Sequence, residues 1–434
     1  MSAESTSKIP GKVWYRSGVA GMASYLDAAA IISTGTALVL YMDPMGITEG
    51  QVGQLSAILT FLMALGALVG GRLADMYGRK RVFLATMSLY VVGAGIMALA
   101  PSVTILYLGV ALLGFAVGAD LPASLAMIAE EAPPEHRGKL ISFSHILWLV
   151  GILASQLLAM VIGGMGQAGG QILYLHLVIV AAAVLILRAS LPESHRWAAQ
   201  HEAAAAAPSA ELGLGGLKQL VKGPYLWPMV TVALFYALVN IGANTGGQFT
   251  TYMYVTLAGS TVSFASLISF VTFGIAFVAT YFLMRIVDGS NRMRWFKIMA
   301  VAYAVGSLVP AIFGVQVWSL VLMGIFSSIA GAVAGEPMFK VWAQELISTT
   351  YRSTAQGFMI FFTRVVAALV ALWTPTILAV SPSVLFIFVA VCIAVGGLLG
   401  VFVIDKFPRV ADEEDSIDAL EGAVSESAPV NEAL

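Results

Sequence analysis

Apolar and polar positions alternate along this chain in long blocks, apolar runs of roughly twenty residues being separated by short polar breaks. In order, the apolar blocks fall at about 17–40, 54–74, 82–100, 103–129, 140–162, 171–190, 226–254, 262–286, 295–314, 316–345, 354–376 and 383–404. A run of about 18 or more apolar residues is long enough to cross a bilayer as a helix. The pattern predicts an all-α membrane protein with twelve transmembrane helices. Blocks longer than about 20 residues imply tilt, or ends that project from the bilayer.

Composition supports this reading: 59% of residues are hydrophobic and 11% charged, against roughly 25% charged in soluble domains. The 43 glycines suit close helix packing in a membrane. A net charge of −2 gives no footprint for nucleic acid. The single cysteine, Cys392, allows no disulfide within one chain. Of the 22 Lys and Arg residues, all but Lys340 and Arg364 fall before the first block, after the last, or in alternate breaks between blocks and the block edges that flank them. Short loops rich in Lys and Arg stay cytoplasmic. Both termini are therefore expected in the cytoplasm, with the chain in a bacterial cytoplasmic membrane.

The longest polar break, 191–225, has six blocks on each side. The expected organisation is a cytoplasmic N-terminal segment (1–16), a six-helix bundle (17–190), a cytoplasmic linker (191–225), a second six-helix bundle (226–405) and an acidic cytoplasmic tail (406–434). Between the second and third blocks the chain reads GRLADMYGRKR, from Gly71 to Arg81. Gly71 suits close helix approach, Gly78 a tight turn, and Asp75 and Arg79, four apart, an ion pair. The second half repeats that spacing in MRIVDGSNR as Asp288 and Arg292, with Asn291 where Gly78 stood. Two halves with a degenerate repeat suit alternating access to a central site.

The G-x-x-x-D-x-x-G-R-K pattern starting at Gly71 resembles the loop between helices 2 and 3 of the major facilitator superfamily. AEEAPPEHRGK, from Ala129, resembles the loop after helix 4 in the sugar-porter and metabolite:proton symporter branches, and PESHRW, from Pro192, resembles their signature after helix 6. Glu345 and Arg352 resemble the acidic and basic pair after helix 10. The resemblance implies two pseudo-symmetric six-helix bundles and a proton-coupled or facilitative carrier of small polar solutes. It also implies a gating role, clamping the cytoplasmic ends in the outward-facing state, for Asp75, Arg79, Glu130, Arg137, Glu193, Arg196, Asp288, Arg292, Glu345 and Arg352. Read without it, the same charges fix topology and solvate loops.

Five charged residues fall well inside the blocks, away from their edges: Asp27, Asp120, Glu336, Lys340 and Arg364. Such groups are costly in a bilayer and are functional by default. Asp27 sits among small apolar neighbours, where burial favours the neutral acid and suits proton uptake and release. By resemblance it aligns with the helix-1 aspartate that couples protons in related symporters. Sugar porters place a partner arginine where this chain has Val110, and Asp120 adds a second acid in the fourth block. Asp27, Asp120 and Glu336 are thus the candidate proton-coupling residues. Glu336 and Lys340, four apart, also suit a purely local ion pair. Arg364 has no partner in its own block. Asp120 or Glu336 can serve it, or a substrate anion that takes its bidentate fork.

Polar residues for a solute collect in the fifth and seventh blocks. His145 stands where sugar porters carry a substrate-contacting glutamine, with Trp148 and Gln156 further along. Asn240, Asn244 and Gln248 recur every fourth residue on one helix face, near Tyr236, Thr251 and Tyr252, although the paired-glutamine motif of sugar porters is missing. An amide stripe can also join helices. Lys340, Trp342, Gln344 and Arg364 complete the expected substrate-binding set.

No metal motif, phosphate loop or nucleophile–base arrangement is present in the sequence, so no enzyme and no cofactor beyond the coupling proton is expected. The expected function is proton symport of a sugar, polyol or sugar-derived acid by a monomer embedded in lipid. The alternatives are a symporter for an aromatic or aliphatic carboxylate and a non-transporting sensor on the same fold.

Overall fold

A computed structural model describes residues 9–133, 136–193, 223–286, 291–347 and 349–409, and these form thirteen α-helices. They are α1 (Gly11–Met45), α2 (Glu49–Tyr77), α3 (Arg79–Leu99), α4 (Val103–Glu131), α5 (Arg137–Ile162), α6 (Gln167–Ala189), α7 (Leu226–Tyr252), α8 (Val262–Ile286), α9 (Arg292–Phe313), α10 (Val317–Ala334), α11 (Glu336–Glu345), α12 (Thr349–Val380) and α13 (Pro382–Phe402). Twelve stretches are long and apolar enough to cross a membrane, as the block pattern predicts. The extra helix arises because the expected continuous span at 316–345 is broken. Gly335 leaves helical geometry at φ −105 and ψ −137, and Pro337 sits in the first turn of α11, where its missing N–H costs nothing.

Six spans form each of two bundles. α1–α6 pack together as α2 on α4, α3 on α4 and α6, and α1 on α5 and α6; α7–α13 pack as α9 on α10 and α13, α8 on α10, and α7 on α12 and α13. The bundles meet through α2 with α12, α5 with α8, and α1 with α7. Val161, Ile186, Val278 and Val301 point outward and are exposed, a surface suited to lipid tails rather than water.

The two ends of the bundle pair differ. At the end bearing the α2–α3 turn, Gly78 takes φ 94 and ψ 152, a backbone conformation open essentially to glycine alone. The freed N-terminal amides of α3 donate to the Glu193 carboxylate, Arg79 N at 2.9 Å and Lys80 N at 3.2 Å, which also places a negative charge at the positive end of the helix. Close approach of α2 and α4 falls at Gly70, where a Cβ would overlap the Ala119 backbone; Gly71, the expected contact, has only Pro122 nearby. At the far end α2 opens with a capping box: Gln51 N donates to Thr48 Oγ1 at 3.3 Å and Thr48 N to Gln51 Oε1 at 3.0 Å.

Arg188, which the sequence groups with the loop cations, lies inside α6 and is fully buried. Its guanidinium donates to Asp120 at 2.5 Å, to Ser124 Oγ and Ala20 O at 3.0 Å, and stacks 4.5 Å from the Phe83 ring centroid. The network ties α6 to α1, α3 and α4. The linker residues 194–222 and the tail from 410 lie outside the described residues.

Candidate functional site

The middle of α1 and the middle of α12 bring an acid and a base from opposite bundles together. Asp27 Oδ1 lies 3.5 Å from Arg364 Nη2. Asp27 is 3% exposed, and its Oδ2 accepts from Trp148 Nε1 at 3.1 Å. Trp148 in turn stacks on His145, 5.6 Å between ring centroids and 7° between planes. His145 is exposed, and it feels Lys340 and Glu336 across the gap between the bundles. Lys340 Nζ lies 2.8 Å from Glu336 Oε1, the local pair that the spacing suggests. Tyr236, in hydrogen-bonding contact with Glu336, stacks on Phe339 at 4.1 Å. The result is an inter-bundle cluster of two acids and two cations beside the His145–Trp148 stack, with the Tyr236–Phe339 stack buried behind it.

Arg364 therefore meets a carboxylate other than the two the sequence nominates. Asp120 is taken by Arg188, Thr86 (2.9 Å) and Ser124 (3.3 Å), and Asp27 has Arg364 and Trp148, so the two acids belong to separate networks. Asp27 takes its cation, Arg364, from the other bundle.

From this cluster toward the far end the bundles are sealed. Gln248 Nε2 donates to Thr60 Oγ1 at 2.8 Å and to Asn244 Oδ1 at 2.9 Å, and Thr36 and Thr251 hydroxyls lie 3.1 Å apart. Gly35 abuts the Gln248 carbonyl and Gly53 the Leu372 carbonyl so closely that a Cβ would overlap either. The amide stripe thus acts in part as a helix-to-helix fastening, with Asn240 half-buried below it. Tyr252 is buried beyond the stripe, and Gln156 is buried with Oε1 unpartnered among the described residues.

At the opposite end the described ion pairs stay within their own bundles. Arg79 Nη2 meets Glu130 at 2.7 Å in the first, and Arg292 grips Glu345 bidentately at 2.5 and 3.0 Å in the second. The side chains of Asp75, Arg137, Gln344 and Arg352, and the whole of Arg196 and Asp288, lie outside the described residues. Trp342, expected at the substrate, is instead closed into an aromatic core with Phe235 (4.9 Å) and Phe296 (5.1 Å), because a large ring at this turn of α11 faces α7 and α9. Sequence reasoning missed the Tyr236–Phe339 stack, whose signal was Tyr236 one turn before the amide stripe.

Residues 18–372 match the family model of the Major Facilitator Superfamily, and the chain belongs to that family of membrane transporters. It is 30% identical over 370 residues to the minor myo-inositol transporter IolF of Bacillus subtilis, covering 84% of each chain. A niacin transporter, NiaP of Acinetobacter baylyi, is 30% identical over 207 residues, covering 44% of this chain and 45% of its own. Among solved structures, a D-xylose-proton symporter superposes with a TM-score of 0.74 at 20% identity, over 91% of this chain and 98% of the other.

Proposed function

We propose that this protein is a proton-coupled symporter of a small polar solute, of the sugar, polyol or sugar-derived acid class, working by alternating access as a monomer. The observation that carries the reading is the Asp27–Arg364 pair, one residue from each bundle, at the centre of the cluster. A proton on Asp27 removes the attraction that holds the bundles' midpoints together, so proton uptake and bundle movement share one contact. The IolF relationship over most of both chains favours a polyol-sized, hydroxyl-rich solute. The polar lining of His145, Trp148, Asn240 and Asn244 suits such a solute, as does the orphaned amide oxygen of Gln156.

With the cation-rich loops in the cytoplasm, the sealed far end faces outside and the structure is inward-facing. In that state the gating pairs Arg79–Glu130 and Arg292–Glu345 organise each bundle's own cytoplasmic end. The boundaries 17–190 and 226–405 then delimit the two rocking units, joined by the 191–225 linker. A second reading, symport of a carboxylate, is favoured by Arg364, a guanidinium in the cluster, and by the partial NiaP match.

The test is uptake into proteoliposomes under an imposed pH gradient, with labelled myo-inositol, xylose, glucose and gluconate. Accumulation above equilibrium, abolished by a protonophore, supports symport; equilibration without accumulation makes the protein a facilitator.

A further inference from the structure

The arginines inside this protein are not equally satisfied: Arg188 and Arg292 are buried, and Arg364 is a quarter exposed. Arg188 makes hydrogen bonds to Asp120, Ser124 and Ala20, and Arg292 holds Glu345 with two. Arg364 has neither arrangement. Among the described residues its side chain reaches only Met63 Sδ at 3.8 Å and Asp27 Oδ1 at 3.5 Å, an ion contact that is not a hydrogen bond. Its partner oxygen, Asp27 Oδ1, is buried and has no hydrogen-bond donor. A planar five-donor fork beside an unbonded carboxylate oxygen is incomplete on both sides.

We infer that Arg364 is the seat of an anionic head group on the solute, and that Asp27 occupies it only while the site is empty. The solute is a hydroxylated monoanion, carrying one carboxylate or one sulfonate, and it enters with one proton. This deepens the symport reading above and rests on it for the transport step, though not for binding.

Charge fixes the stoichiometry. Facing Asp27 are Arg364 from α12, Glu336 and Lys340 from α11, Tyr90 from α3, Tyr236 from α7, and Trp148 with His145 from α5. On α6, His176 is engaged with the Tyr25 hydroxyl at 2.7 Å, and on α4 Asp120 is held by Arg188. With His145 and both tyrosines neutral, Asp27, Glu336, Lys340 and Arg364 sum to zero. A proton converts the Asp27 carboxylate to a carboxylic acid and leaves a charge of +1, seated on Arg364. One monoanion restores neutrality, and its two oxygens match the guanidinium fork that Asp27 Oδ1 fails to fill. A neutral polyol leaves the +1 uncompensated, and a dianion overshoots it. Trp148, half-buried beside Asp27, offers a platform for the carbon skeleton.

The experiment measures binding to purified protein by calorimetry at pH 6 and pH 8, with gluconate, 6-deoxy-6-sulfoglucose, glucarate and myo-inositol as probes. Wild type is expected to bind gluconate or the sulfosugar at least tenfold more tightly at pH 6 than at pH 8, and more tightly than inositol or glucarate. Whichever monoanion binds better identifies the head group. Arg364→Gln is expected to lose at least tenfold for that monoanion and less than twofold for inositol. Asp27→Asn, a near-isosteric change, is expected to bind it at pH 8 as tightly as wild type does at pH 6, because the fork is permanently free. The inference is overturned if Asp27→Asn shows no gain at pH 8, or if Arg364→Gln weakens inositol and the monoanion equally. Should Arg364→Gln fail to fold, the Asp27→Asn comparison decides alone. If a pH gradient drives inositol but neither monoanion, the symport reading stands and this inference falls. If the binding pattern holds and no gradient drives uptake, the anion seat stands and symport falls.

Discussion

Arg188 and Asp120 form a salt bridge of 2.5 Å with side chains 0% and 2% exposed, the most deeply buried of the described ion pairs. Each charge sits there because the other does. Removing one partner leaves an uncompensated charge, which typically costs about 3–5 kcal/mol, whereas replacing both with apolar residues is close to neutral. Arg188→Leu is therefore expected to lower stability by that amount, and Arg188→Leu with Asp120→Leu to recover most of it. Thermal unfolding of the detergent-purified variants checks this. A double variant no more stable than the single one excludes the clasp.

That pair also shows where the sequence stops being legible. The twelve spans were readable because a bilayer demands a long apolar run for each crossing. The proton candidate Asp27 stood out because a carboxylate is rare in such a run. Partners were not readable. Arg188 ends an apolar block next to a polar break, so a linear reading counts it as a loop cation; only the packing of α6 on α3 and α1 shows that it turns inward. Arg364 and Asp27 are separated by most of the chain, and no periodicity links them. The break before α11 did have a local signal in Gly335-Glu336-Pro337, but an apolar run on both sides concealed it.

The Glu336–Lys340 pair is of the other kind. Its side chains are 43% and 50% exposed, and a pair so open to solvent contributes at most about 1 kcal/mol. Lys340→Met is expected to leave stability within that range. A thermal shift within a few degrees combined with a tenfold loss of solute affinity marks Lys340 as a solute contact. A large loss of stability instead makes the pair structural.

Gly78 carries the α2–α3 turn at φ 94 and ψ 152. An alanine there is expected to cost about 1–3 kcal/mol, because L-residues with a Cβ avoid that region. Glu193→Ala is expected to cost about 0.5–2 kcal/mol, the usual range for losing a side-chain cap on helix N-terminal amides. Both are measured by unfolding of the purified protein. Equal stability of Gly78→Ala and wild type rules out strain at the turn.

Closure of the far end rests on Gly35 against Gln248. Gly35→Ala forces the two bundles apart there and is expected to raise the population open at the far end. Thr60, which bonds Gln248 across the seam, is the reporter position. With Cys392 replaced by serine, a Thr60→Cys probe is expected to react faster with a membrane-impermeant maleimide from the far side when Gly35→Ala is present. An unchanged rate removes Gly35 from the seal.

That seam joins main chain to main chain, at Gly35 on Gln248 and Gly53 on Leu372, and side chain to side chain, at Gln248 with Thr60 and Thr36 with Thr251, and His145, Asn240 and Lys340 take part in none of these contacts. Exchanging His145, Asn240 or Lys340 is therefore expected to leave the closure intact. If those residues line the solute's site, as proposed above, the scaffold is free over evolutionary time to change its cargo by point substitution while keeping its door, and laboratory selection for a new solute can start from the lining alone.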